Sequence, residues 1–142
     1  MGQGQDAVNP LSMAVYMGAI ANGGRSAVPR LIHRVDGALI PASWSTRRTG
    51  TLIASDTAQT LADMMAYNVT ANYGSSRFGN LDMGAKSGTA EVGSDRTPHA
   101  WFAGFVREED YPYAFVVLVE NGGSGSQVAG DVAAAVLAAA TR

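Results

Sequence analysis

The chain has 142 residues, of which 46% are hydrophobic and 15% are charged, and its formal net charge is −2. These values predict one soluble globular domain and exclude a disordered or strongly basic chain. The basic residues are scattered singly apart from the Arg47-Arg48 pair, which argues against a nucleic-acid partner, and the absence of cysteine excludes disulfides and thiolate metal sites.

Two elements are predicted in the first third of the chain. A helix begins at Pro10, because Asn9 is a favourable N-cap and apolar residues follow at spacings of three and four. This helix should end at the Asn-Gly-Gly sequence of residues 22–24. The segment from Ala27 to Val35 mixes apolar and basic residues, and its Pro29 favours an edge strand or an extended arm.

A second helix is predicted to begin with Ser55 or Asp56 as its cap. Its apolar residues repeat at the spacing of an amphipathic helix: Ala58, Leu61, Ala62, Met65, Ala66 and Val69. A segment rich in turn residues follows from Asn72 to Asn80.

Three strands come next, and their short connections favour an antiparallel meander: Asp82 to Val92, Ala100 to Arg107 and Tyr113 to Glu120. The third is apolar at every position from Tyr113 to Val119, which is typical of a strand covered on both faces. It should therefore be central in the complete sheet.

A last helix is predicted after Ser124 or Ser126, either of which can cap it. One apolar stripe is expected along it: Val128, Val132, Ala135, Val136 and Ala139. The order of elements predicts a mixed fold of the α+β type, an antiparallel sheet of at least three strands flanked by helices.

Most catalytic constellations are missing from the sequence. His33 and His99 are far apart and match no metal-ligand spacing, and the glycine clusters match neither the dinucleotide nor the phosphate-loop pattern. We therefore expect no metal and no cofactor.

One segment carries chemistry, the predicted strand around Lys86, the only lysine of the chain. Ser87 and Thr89 place two hydroxyls around Gly88, and a glycine within a strand often marks the close approach of a ligand. An edge strand with outward N–H groups, one cation and two hydroxyls suits a carboxylate and a developing oxyanion. The alternative is a plain solvated strand with no function.

The sequence Lys86-Ser87-Gly88-Thr89-Ala90-Glu91 resembles the Lys-Thr/Ser-Gly-Thr strand of penicillin-binding transpeptidases. Further segments are similar to that family in order and spacing: Gly2-Gln3-Gly4, Asn9 to Ala14, Ala21 to Gly24, His99 to Phe105 and Val119 to Gly123. The resemblance covers essentially the whole chain. It implies a β-lactamase/transpeptidase-like fold, of which residues 1–142 would be a single partial domain from the C-terminal portion.

The resemblance also implies roles for the strand. Lys86 would organise proton transfer around a nucleophile, and Ser87, assisted by Thr89, would bind the carboxylate of a penicillin or of a peptidoglycan stem peptide. The N–H of Thr89 would be one oxyanion donor, and Gly88 would keep the wall clear for the ligand. The expected reaction is peptidoglycan D,D-transpeptidation through an acyl-serine intermediate.

Two motifs of the family are absent. Met83 stands three residues before Lys86, so there is no Ser-x-x-Lys, and there is no Ser-x-Asn or Tyr-x-Asn. We expect a chain cut after the helical subdomain, without that subdomain and the N-terminal strand, and inactive alone. The bare strand edge predicts a homodimer or oligomer. The parent protein would be membrane-anchored on the extracytoplasmic face of the bacterial membrane.

Two other interpretations remain open at this point. The strand is shared with β-lactamases and D,D-carboxypeptidases, so the chain could be a fragment of one of these. It could also be a non-catalytic binding or assembly module on the same scaffold.

Overall fold

The computed structural model describes residues 7–29, 34–35, 38–39 and 48–142. These residues form three α-helices: α1 (Pro10–Ala21), α2 (Ser55–Asn68) and α3 (Gly130–Ala140). They also form seven strands: β1 (Arg25–Ala27), β2 (Arg34–Val35), β3 (Ala38–Leu39), β4 (Arg48–Thr51), β5 (Met83–Ala90), β6 (His99–Val106) and β7 (Ala114–Val119). A π-helical turn (Val69–Tyr73) and a 3-10 turn (Ser75–Phe78) follow α2, and a second π-helical turn (Gly125–Ala129) leads into α3.

The predicted antiparallel meander is confirmed as the sheet β5-β6-β7. Each strand lies within two residues of its predicted bounds, and the register places Lys86 opposite Ala103 and Gly88 opposite Trp101. Within the described ranges β7 pairs only with β6, and its side chains are mostly half-buried. Its expected central place in a larger sheet stays a prediction.

The segment predicted as one extended arm, Ala27 to Val35, is only partly described. β1 ends at Ala27 and pairs antiparallel with β4, while β2 begins at Arg34 and pairs with β3. Residues 30–33, which include His33, lie outside the described residues.

Helix α1 is confirmed at both ends, whereas the cap of α2 was predicted wrongly. The Asn9 side chain accepts a hydrogen bond from the Leu11 N–H at 2.8 Å, and the helix ends at Ala21 with Asn22 as its C-cap. In α2, Ser55 already lies in the first helical turn, and the extended N-cap residue is Ala54, which provides no side-chain bond. The first turn is closed instead by the Ala58 N–H donating to the Ala54 carbonyl at 2.9 Å.

The last helix is present, but its buried stripe differs from the predicted one. Ser124 caps the π-helical turn that leads into α3, since its hydroxyl accepts from the Gln127 N–H at 3.4 Å, whereas α3 itself has Ala129 as its N-cap residue and no side-chain cap. The predicted stripe residues Val128, Val132, Ala135, Val136 and Ala139 are exposed, and the row beside them is buried: Ala129, Ala133 and Leu137. Glycine is required at the start of the turn that leads into this helix, because a Cβ at Gly125 would meet the carbonyl oxygens of Gly88 and Trp101.

The helices cover both faces of the sheet. A Cβ at Gly84 would meet Met65 of α2, whereas the next residue, Ala85, belongs to the buried cluster that contains Leu137 of α3. Since successive strand residues point to opposite faces, α2 and α3 lie on opposite sides of β5. Phe102 is fully buried at the centre of this cluster. In the described part of the chain, no helix is long and apolar enough to span a bilayer.

Candidate functional site

The predicted site strand, β5, is an outer strand of its sheet. Its first half is buried at Met83 and Ala85, and it becomes accessible from Lys86 onward. The Ser87 N–H donates to the Tyr73 hydroxyl at 2.8 Å, so it points away from β6. Outward N–H groups alternate along a strand, which places the Thr89 N–H at the same edge.

Lys86 lies on the α2 face of the strand. Its Nζ donates to the carbonyl oxygen of Ser87 at 2.6 Å, and the ion pairs found among the described residues join other partners, Arg77 and Arg107 with aspartates. Beside Lys86 runs a groove of about 540 Å³, called here the α2 groove. The atoms that line it are almost all apolar, and the lining residues are Met17, Leu61, Met64, Met65, Tyr67, Asn68 and Lys86. The ammonium therefore stands at the end of an apolar surface.

Ser87 lies on the opposite face and is bonded to a residue that the sequence did not indicate. Tyr73 ends the π-helical turn after α2, and its hydroxyl donates to Ser87 Oγ at 2.9 Å while accepting the Ser87 N–H. The Tyr73 ring packs edge-to-face on Phe102 with centroids 5.1 Å apart. The position of the Ser87 hydroxyl is thus tied to the aromatic core.

The environment of Tyr73 lowers the pKa of its phenol. Burial raises the pKa, but interactions with the side chain and the backbone of Ser87 and with the Asn68 side chain, together with the positive charge of Lys86, outweigh it. The net direction is below the ordinary value for tyrosine. The phenol oxygen therefore sits in a surrounding that favours negative charge.

Thr89 and Gly88 are fixed by the turn that precedes α3. Thr89 Oγ1 accepts from the Gly125 N–H at 3.3 Å. A Cβ at Gly88 would lie 3.3 Å from the Cβ of Trp101 on the facing strand, which is tighter than an ordinary contact. Gly88 thus lets β5 and β6 approach at the site, and the strand is held from behind by the turn.

The structure brings the four predicted residues together along one edge, with Lys86 on one face and Ser87 and Thr89 on the other. Sequence reasoning missed Tyr73 and Gly125. Tyr73 is 14 residues from Ser87 in a segment that the sequence marks only as turn-rich, so no spacing signal pointed to it.

His99 has a structural contact, since its Nδ1 accepts from the Asn121 N–H at 2.9 Å. Within the described ranges, no group of three or more His, Cys, Asp or Glu could hold a metal.

This geometry suits the recognition of an anion that lies along the edge of β5. A cation and a fixed hydroxyl are donors that bind a carboxylate.

Comparison with protein families gives one match over almost the whole chain. The model of the penicillin binding protein transpeptidase domain matches residues 1–139. The chain is 34% identical, over 100% of its length, to the peptidoglycan D,D-transpeptidase PbpA of Mycolicibacterium smegmatis, of which it covers 31%. It is 29% identical to PbpA of Mycobacterium tuberculosis, of which it covers 30%.

Solved structures of the same kind superpose on the chain. A ceftriaxone acyl-enzyme complex of penicillin-binding protein A from M. tuberculosis gives a TM-score of 0.85 at 26% identity, with 99% of this chain and 34% of that one covered. Pseudomonas aeruginosa PBP2 in complex with WCK 5153 gives 0.75 at 31% identity, covering 97% of this chain and 31% of that one. The chain spans about a third of the length of the relatives it matches.

Proposed function

The chain belongs to the penicillin-binding protein transpeptidase family, and from this premise we propose that it supplies one wall of a peptidoglycan D,D-transpeptidase site. In that reaction a serine hydroxyl attacks the penultimate D-alanine carbonyl, the terminal D-alanine leaves with a proton on its new amine, and a second stem peptide's amine takes the acyl group. The 142 residues contain no Ser-x-x-Lys. The serine nucleophile is therefore proposed to come from a protein segment other than these 142 residues.

The observation that carries the proposal is the edge of β5. Lys86 would hold the positive potential near the nucleophile, and Ser87, with Thr89 beside it, would bind the terminal carboxylate of the stem peptide or of a β-lactam. The Thr89 N–H would donate to the oxyanion of the tetrahedral intermediate. Gly88, which has no side chain and lies close to Trp101, would keep this wall of the site flat.

The α2 groove supports the same proposal. An apolar surface with exposed Met64 and Tyr67 beside a cation suits burial by another protein element. The element that carries the serine would lie there, within reach of Lys86. Residues 1–142 would then be a partial domain that is inactive on its own. This arrangement requires no metal or cofactor.

Location and assembly form a further part of the proposal. Relatives named peptidoglycan D,D-transpeptidases act in cell-wall synthesis, so we place the parent protein at the extracytoplasmic face of the bacterial membrane, anchored to it. β7 is apolar over all six residues and pairs only with β6 in the part of the chain that the structure describes. Its outer edge is proposed to pair with a second copy when left uncovered.

A chimaera tests the proposed catalytic role. In M. smegmatis PbpA, the segment that matches this chain is replaced by the 142 residues, and the chimaera and the 142-residue chain are each incubated with a fluorescent penicillin. Intact-mass spectrometry should show one acyl adduct on the chimaera and none on the chain. A chimaera that melts cooperatively but takes no label would contradict the proposal, and labelling of the chain alone would contradict the missing nucleophile.

A further inference from the structure

We propose that Tyr73 is a positioning residue of the carboxylate site, which directs the proton of Ser87 toward the ligand and closes the strand edge at the Ser87 N–H. This inference rests on the proposed function, because it names how the same site selects a carboxylate. Three observations carry it: the direction of the hydrogen bonds, the rigidity of the support and the charge around the phenol.

The direction of the bonds follows from the donors around the Tyr73 oxygen. That oxygen accepts from the Ser87 N–H at 2.8 Å. Its single proton goes to Ser87 Oγ, 2.9 Å away. Ser87 Oγ then accepts from Tyr73, so its own proton points elsewhere and is available to an acceptor on the ligand.

Asn68 itself is held in one orientation. Its Nδ2 donates to the Ala85 carbonyl at 2.9 Å, and its Oδ1 accepts from Asn72 Nδ2 at 2.8 Å. The Asn68 side chain, fixed in this way, is one of the groups that lower the pKa of Tyr73.

The backbone places Tyr73 rigidly at the strand edge. The π-helical turn Val69–Tyr73 inserts one residue relative to an α-helix, and Gly74, at φ +82°, turns the chain away directly afterwards. The ring is held by Phe102, which is fully buried. Because Tyr73 occupies the Ser87 N–H, an extended ligand cannot pair with β5 at that position.

The charge around the phenol makes the hydrogen bond between Tyr73 and Ser87 sensitive to alkaline pH. Lys86 on β5 is the charged group that acts on Tyr73, while its other partners, Ser87 and Asn68, are neutral. On ionisation the phenolate accepts from Ser87, which turns the Ser87 proton inward and adds a negative charge beside the carboxylate. Because the pKa of Tyr73 is lowered, carboxylate binding should weaken at a lower pH than an ordinary tyrosine would set.

The test is a titration of the 142-residue chain with acetyl-D-alanyl-D-alanine, followed by amide chemical shifts, with the C-terminally amidated peptide as reference. The wild-type chain should bind the acid more tightly than the amide. Tyr73→Phe, which keeps the ring on Phe102, should weaken binding of the acid about fivefold to tenfold. Tyr16→Phe on α1, where the tyrosine is 54% exposed, is the matched control and should leave binding unchanged.

A double-mutant cycle separates positioning from a merely structural role. In the Ser87→Ala background, Tyr73→Phe should cause no further loss, because the proton to be directed is gone. An equal loss in both backgrounds, or no loss in either, would overturn the inference.

The wild-type chain gives a second readout. Its affinity for the acid should fall in step with Tyr73 ionisation followed by ultraviolet difference spectroscopy, and an affinity that stays constant through that ionisation would also overturn the inference. Equal binding of acid and amide by the wild-type chain would instead count against the proposed function.

Discussion

The two outer strands of the sheet, β5 and β7, have opposite kinds of edge. Both pair only with β6 among the described residues. The edge of β5 carries Lys86 and two hydroxyls, and its Ser87 N–H is closed by Tyr73. β7 is apolar along its whole length and carries no polar side chain. An open strand edge is a template for pairing, and polar groups turn that template into a ligand site, whereas an apolar edge calls for another protein segment.

The support behind the two strands also differs. β5 is backed by a glycine turn that touches its main chain at Gly125, and Thr89 is tied to that turn. β7 is held by side-chain packing, for example Phe115 stacked on Phe102 with centroids 6.3 Å apart. The ligand edge is therefore fixed through its backbone and the apolar edge through its side chains, which makes β5 the more sensitive to small substitutions.

The largest effect is expected from the cation of the β5 edge. Lys86→Ala in the chimaera should slow acylation by penicillin by about 100-fold or more, since charge and proton transfer near the nucleophile are lost. Its melting temperature should change little, because the Lys86 side chain is exposed and forms none of the ion pairs found among the described residues. Time-resolved labelling measures the rate. Lys86→Arg keeps the charge and should recover only part of the lost acylation rate. Full activity of Lys86→Ala would show that Lys86 does not act in the site.

A smaller effect is expected behind the β5 edge. Gly125→Ala in the 142-residue chain would place a methyl group against the Gly88 carbonyl, which should lower the free energy of unfolding by about 1–3 kcal/mol. Gly18→Ala in α1 is the matched control, because its Cβ would meet Ala114 of β7 at an ordinary 3.6 Å. The control should be neutral or slightly stabilising in urea unfolding. Equal destabilisation by both substitutions would erase the difference in support between the two strands.

The smallest effect is expected at the β7 edge. If that edge pairs with a second copy, light scattering of the 142-residue chain at high concentration should show association. Leu118→Lys, which puts a charge on the half-buried edge strand, should weaken that association about tenfold. An exposed valine on α3 provides the control, since Val136→Lys at 56% exposure should leave it unchanged. A wild-type chain that stays monomeric would show that the apolar edge does not pair with itself.

Sequence reasoning succeeded where the signal is local. Strands β6 and β7 are each a short, largely apolar run between turn residues, so their positions could be predicted directly. The motif around Lys86 lies within six consecutive residues, and its role in a site stays a prediction. The helix bounds of α1 followed from its capping residues in the same way.

The wrong and the missed predictions share one cause. Packing between elements determines these features, and the sequence pattern does not show that packing. Helix α3 has two adjacent apolar rows, and packing against the core cluster, not hydrophobicity, separates the buried Ala133 from the exposed Val132. The role of Tyr73 depends on one extra residue in a π-helical turn, which leaves no mark in the apolar pattern. Both features appear only once the elements are assembled.

The most direct test of the central claim is a crystal structure of the chimaera acylated by benzylpenicillin. The account predicts the penicillin carboxylate within hydrogen-bond distance of Ser87 Oγ, with Tyr73 bonded to the other side of that oxygen, and the acyl carbonyl oxygen on the Thr89 N–H. A carboxylate bound away from β5, with Ser87 bonded only to protein, would contradict it.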